Sequence, residues 1–99
     1  MKKSNYNIAI KNGRQRDVKQ ISGYIFQKDG LWFGIDHRYT YHWQITELNT
    51  GMAIGCGIPR MKDVDTVLTD EVIEKVKRAI SQIDKTIFVN DIDNLWDIW

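Results

Sequence analysis

The sequence predicts an α+β domain, an antiparallel meander of about five strands with one amphipathic helix packed on one face. Three observations lead there. Apolar residues alternate at period two through the first half of the chain, short turn signals separate the alternating runs, and the spacing changes to threes and fours after Pro59. At 99 residues this is a single domain spanning 1–99, able to fold alone but with a small core.

In chain order, Tyr6, Ile8 and Ile10 alternate with Asn7, Ala9 and Lys11, and Asn12-Gly13 closes this first strand with a hairpin signal. Val18 to Phe26 is a second strand. Asp29-Gly30 is a two-residue turn into Leu31-Trp32-Phe33-Gly34-Ile35, whose continuous apolar run suggests burial on both faces, or packing on one side and cover on the other. The polar stretch Asp36-His37-Arg38, with Tyr39-Thr40, connects to the next hairpin.

That hairpin, Tyr41 to Gly57, carries the clearest pattern. Tyr41, Trp43 and Ile45 fall on one side and His42, Gln44 and Thr46 on the other, the alternation of a strand with one buried face. Asn49-Thr50-Gly51 is read as a three-residue loop in which Gly51 takes a positive φ. Met52, Ile54 and Cys56 then alternate with Ala53, Gly55 and Gly57, so one face of this strand is nearly bare. A bare face admits close approach, by a helix of the same chain or by another molecule.

Pro59 removes a donor where strand pairing ends. Thr66 to Thr69 offers helix caps, and Asp70-Glu71 places negative charge in a first turn. Val72, Ile73, Val76, Ala79, Ile80 and Ile83 form one stripe, opposite Glu74, Lys75, Lys77, Arg78 and Gln82, which predicts a helix over about 69–83. Thr86 to Val89 has strand composition. The strands fall within 5–57, and 84–99 is an acidic, aromatic tail.

The net charge of +1 conceals an asymmetry. Residues 1–20 hold six basic side chains against one acidic, and residues 84–99 hold one basic against four acidic. No apolar run reaches the roughly 18 residues of a membrane span, so no membrane association is expected. Met-Lys-Lys is followed by Ser4-Asn5-Tyr6-Asn7 and not by an apolar core, and a single cysteine suits a reducing, cytoplasmic setting.

No catalytic constellation stands out, and the chain is not expected to be an enzyme. His37, His42 and Asp36 cluster in sequence, but two histidines lack the third ligand a zinc site needs, so neither metal nor cofactor is expected. A Cys56–His42 pair across the hairpin has no orienting third group. Gly51, Gly55 and Gly57 have no helix directly after them, so they do not form a phosphate loop. Two kinds of contact remain. Lys11, Arg14, Arg16, Lys19 and Arg38, beside the strand aromatics Tyr24, Phe26, Trp32, Phe33, Tyr39, Tyr41 and Trp43, are candidate contacts for nucleic acid. The tail residues Asp91, Asp93, Trp96, Asp97 and Trp99 either pack back on the sheet or meet a protein partner or a second copy, since large apolar side chains are seldom left in water. An exposed edge strand is another route to a homodimer.

The pattern W-x-I-T-x-L-x-T-G-x-x-I at Trp43 to Ile54, followed by a charged amphipathic helix, resembles the small accessory proteins of phages and mobile elements, a group that includes anti-CRISPR proteins and other inhibitors of host defence. It covers about a third of the chain and transfers no functional residue. The resemblance implies a compact cytoplasmic protein without chemistry or cofactor, which occupies a surface of a larger host protein or ribonucleoprotein complex such as a CRISPR effector. Members of that group often present acidic patches to nucleic-acid channels, and here only the tail is distinctly acidic.

Overall fold

The computed structural model describes residues 1–13, 15–39 and 42–90. Five strands, β1 (Lys2–Asn12), β2 (Gln15–Lys28), β3 (Leu31–Tyr39), β4 (His42–Glu47) and β5 (Met52–Ile58), form one antiparallel sheet in the order β1-β2-β3-β4-β5. A 3₁₀ turn at Met61–Asp63 leads into α1 (Val64–Val67), α2 (Asp70–Ser81) follows, and a second 3₁₀ turn occupies Lys85–Ile87. The α+β class and the antiparallel sheet therefore match the sequence.

Short turns set this topology. Lys28 pairs with Leu31 across Asp29 and Gly30, whose φ values of 51° and 82° are the two positive angles of a type I′ turn. Pro59 follows the last residue of β5, and Thr69 caps α2 by accepting the Val72 amide at 3.3 Å. The helical part is less uniform than the periodicity suggested. It comes as two helices with 3₁₀ turns, and the one-turn α1 over 64–67 had no periodic signal of its own.

β1 and β5 are the two edges of the sheet, yet the Ala9 amide donates to the Gly51 carbonyl at 2.9 Å, in the turn that leads into β5. The sheet must curl for its edges to meet. One core cluster lies inside the curl, built from Tyr6, Ile8, Ile25, Trp32 and Leu48. On the outer face, Leu31, Phe33, Ile35, Ile45 and Ile58 pack with Val64, Leu68 and Ile73, and Val72, Val76 and Ile80 of α2 lie against them. β3 contributes to both clusters and is buried from Leu31 through Asp36, as its continuous apolar run suggested.

Four local expectations are corrected. Residues 36–39 are not a connector but the end of β3, and Asp36 is 3% exposed because its carboxylate accepts a hydrogen bond from the Tyr6 hydroxyl at 3.1 Å. β4 is buried on both faces, since the curl covers Gln44 and Thr46 as well as Ile45. Its connection to β5 is a four-residue turn, Leu48 to Gly51, and Leu48 belongs to the inner cluster. Finally, residues 86–89 form no strand: Asp84 accepts the Thr86 amide at 3.0 Å and winds the chain into a 3₁₀ turn.

Candidate interaction surface

The buried carboxylates described, Asp36 and Glu47, are committed to the fold. Asp36 is bonded to Tyr6, while His37, one residue on, is exposed and lies 4.8 Å from the Trp43 ring. Strand alternation therefore separates the Asp36–His37 pair that sequence brought together. Among the described residues no group of three or more His, Cys, Asp or Glu could hold a metal ion. The Cys56 side chain, and with it the Cys56–His42 pairing, lies outside the described residues.

Glu47 had no signal in the sequence, and it is the most heavily bonded carboxylate described. At 1% exposure, its Oε1 accepts the Asn49 amide at 2.7 Å, and its Oε2 accepts the Thr50 amide at 2.9 Å and the Thr50 hydroxyl at 2.6 Å. These charge-assisted bonds close the β4–β5 turn from within.

The same turn anchors both ends of the chain. The Val89 amide donates to the Asn49 carbonyl at 2.9 Å. The Asn90 side chain accepts the Asn7 amide at 2.8 Å and donates to the carbonyls of Asn7 at 2.9 Å and Leu48 at 2.7 Å. Asn7 in turn donates through its side chain to the Val89 carbonyl at 2.8 Å. The primary amide of Asn90 thus bonds the edge of β1 as a neighbouring backbone would. Asp91, Asp93, Trp96, Asp97 and Trp99, the candidate partner contacts, lie outside the described residues.

The basic candidates fall mainly on the β1–β2 hairpin. Pairing runs from Lys2 opposite Ile25 to Asn12 opposite Gln15, whereas β2 pairs with β3 only from Tyr24 to Lys28. From Gln15 to Gly23, the described strand pairing of β2 is with β1. In this part Lys11 stands opposite Arg16 and Lys19 opposite Ile8. Lys19 is exposed; the side chains of Lys11, Arg16 and Arg38 lie outside the described residues, as does Arg14 entirely. Arg38 is on β3.

Among the described residues the strand aromatics pack on the chain's own clusters and do not form a stacking platform. Trp32 is 3% exposed and Phe33 fully buried, on opposite faces of β3. Phe26 stacks on Phe33 with ring centroids 5.6 Å apart, Tyr24 lies 6.5 Å from Trp43, and all three partly buried rings pack on the outer cluster. Tyr41 and the Tyr39 side chain lie outside the described residues.

With protein-family models, characterised proteins and solved structures compared, none matches this chain. Geometry alone therefore describes its surface. The described clefts are an open depression of about 400 Å³ between the β2 end and α1, where Lys28 bonds Asp65 and the Leu68 carbonyl, and a narrower one of about 130 Å³ between α2 and the β4–β5 hairpin. No helix among the described residues is long and apolar enough to cross a membrane.

Proposed function

We propose that this chain is a non-enzymatic binding protein, an inhibitor of the anti-CRISPR type that occupies a surface of a host nuclease complex such as a CRISPR effector. One observation supports this reading above the others. Asn90, after which the acidic residues Asp91, Asp93 and Asp97 follow in sequence, is bonded to Asn7 on the β1 edge of the basic β1–β2 hairpin. A partner that offers protein and nucleic acid side by side presents both signs of charge, and electrostatic complementarity of that kind gives register and fast association.

The reading also accounts for the interior. Asp36 and Glu47, the buried carboxylates, are bonded to Tyr6 and to the β4–β5 turn, which leaves recognition to the outside of the fold. The experiment is a cleavage assay with reconstituted effector complexes, titrated with the full chain and with a chain lacking residues 91–99. Cleavage lost at one equivalent of the full chain, and retained with the truncated chain while that chain still unfolds cooperatively, is the expected result. Undiminished cleavage across the effector panel at micromolar chain overturns the proposal, and loss of cooperative unfolding on truncation makes the tail part of the core.

A further inference from the structure

The depression between the end of β2 and α1 carries an inference that does not depend on the inhibitor reading. Strand alternation puts Phe26 and Lys28 on one face of β2, and Met61 and Lys62 of the first 3₁₀ turn and Val64 and Asp65 of α1 line the depression with them. Phe26 stacks on Phe33, and Met61 and Val64 belong with the same outer cluster, so this part of the lining is apolar. Met1, at 56% exposure, adds a second thioether. At about 400 Å³ the depression falls within the range of small-ligand sites, about 300–1,000 Å³.

The charged part of the lining is two lysines, Lys28 and Lys62, against one acid, Asp65. The Lys28 ammonium donates to the Leu68 carbonyl and to Asp65 Oδ1, each at 2.9 Å. An ammonium has three donors, and these bonds use two. The carbonyl holds the Lys28 head in place, its side chain only 26% exposed, whereas the Asp65 side chain is 85% exposed and so a solvated partner that contributes little. An anion seated in the depression is less hydrated than Asp65 and competes with it for the same ammonium.

We propose that this depression binds a small carboxylate with an aliphatic tail, its head on Lys28 and Lys62 and its tail over Phe26, Met61 and Val64. Three considerations select this class. A carboxylate accepts charge-assisted hydrogen bonds from both ammonium groups, where a cationic head would meet two like charges. A doubly charged head such as phosphate would be repelled twice as strongly by Asp65 beside it. The stacking of Phe26 on Phe33 occupies one face of that ring, and flexible thioethers such as Met1 and Met61 conform to a chain that has no fixed shape.

The test is an amide NMR titration of the full chain with hexanoate and octanoate, in parallel with acetate and octyltrimethylammonium. Octanoate should move the Gln27, Lys28, Lys62 and Asp65 amides and leave Ala79 and Ile83, which line the groove beside α2, in place. Burial of two further methylenes should make octanoate bind about tenfold more tightly than hexanoate. Asp65→Asn removes the competing carboxylate and should tighten octanoate binding by about two to five times. Lys28→Gln should weaken it at least about tenfold. Since that change also touches the bond to Leu68, its melting is compared with the parent, and D65N decides the matter if K28Q does not fold. The proposal falls if about 10 mM octanoate moves none of these amides. It falls equally if octyltrimethylammonium binds as tightly, if D65N binds no better than the parent, or if the shifts centre on the α2 groove. Hexanoate and acetate binding as tightly as octanoate would show an adventitious ion only and also overturn it. Failure here leaves effector inhibition untouched, because that reading is tested by cleavage and by the tail truncation.

Discussion

Substituting Glu47 by Gln tests whether a buried carboxylate is what holds the β4–β5 turn. The change keeps the shape of the side chain and removes its charge and one acceptor. Both carboxylate oxygens are in use, Oε1 by the Asn49 amide and Oε2 by the Thr50 amide and hydroxyl. In either amide orientation one of these sites receives an NH₂ group facing a donor. Hydrogen bonds to charged groups contribute about 1.5–3 kcal/mol, and an unsatisfied buried donor costs about 1–3 kcal/mol. Against that loss stands the desolvation of a charged group at 1% exposure, which the neutral amide relieves in part. Three short donors converge on the carboxylate, so the bonds win, and E47Q should lower stability by about 2 kcal/mol.

For a domain of this size that corresponds to a fall in Tm of about 8–16 °C, measurable by thermal or urea unfolding. Amide hydrogen exchange locates the loss. The Ala9 and Val89 amides donate to Gly51 and Asn49 of the affected turn, so both should exchange faster in E47Q than in the parent. A variant within 0.5 kcal/mol of the parent, or one that is more stable, would show that desolvation outweighs the bonds and refute the reasoning.

Two further outcomes follow from the geometry. A β-carbon at Gly34 would overlap the Tyr6 ring, so Gly34→Ala should destabilise by about 1–3 kcal/mol in the parent and by much less in a Tyr6→Ala background; a double-mutant cycle on unfolding checks it, and equal penalties in the two backgrounds would refute the contact. The Asp84 carboxyl is held below its ordinary 3.8 by the hydrogen bond from the Thr86 amide, so its contribution to the 3₁₀ turn is fully present above that value and is lost as pH falls through the lower folded one; the Thr86 amide resonance should titrate with a midpoint below 3.8, and a midpoint at or above it would remove the coupling.

Local chemistry was legible in the sequence and long-range covering was not. Asp29-Gly30, Pro59 and Thr69 act within a few residues, and each does in the structure what its chemistry requires. Gln44 and Thr46 alternate with apolar residues and read as the open face of a strand, and Asp36 reads as part of a polar connector, yet all three are buried because the sheet curls. The curl depends on contacts such as Ala9 with Gly51 and Tyr6 with Asp36, which join residues far apart in sequence and leave no periodic trace. In β5 the alternation itself slips. Register shifts between Trp43 and Gln44, and between Ile45 and Thr46, leave Met52 at 55% exposure while Ile58 joins the core. For the surface, sequence named the charged segments, but the bonds between Asn7 and Asn90, two residues without a recognisable motif, left no trace in it.

The contact between β1 and Val89–Asn90 is buttressed by three residues of the β4–β5 turn. Leu48 donates its amide to the Trp32 carbonyl and accepts the Asn90 side chain, Asn49 accepts the Val89 amide, and Gly51 accepts Ala9 while its own amide donates to Glu47. The Val89–Asn90 end of the described residues and β1 are therefore both bonded to one turn, a framework of the kind that holds contacts in defined positions. It also separates binding from folding at a defined point in the chain. A truncation beginning at residue 91 keeps every bond of Val89 and Asn90 to the turn and to β1, whereas one beginning at residue 89 removes the amide that pairs with Asn49 and the side chain that pairs with Asn7. A loss of partner binding shared by both truncations belongs to the tail, and a loss confined to the longer one belongs to the fold.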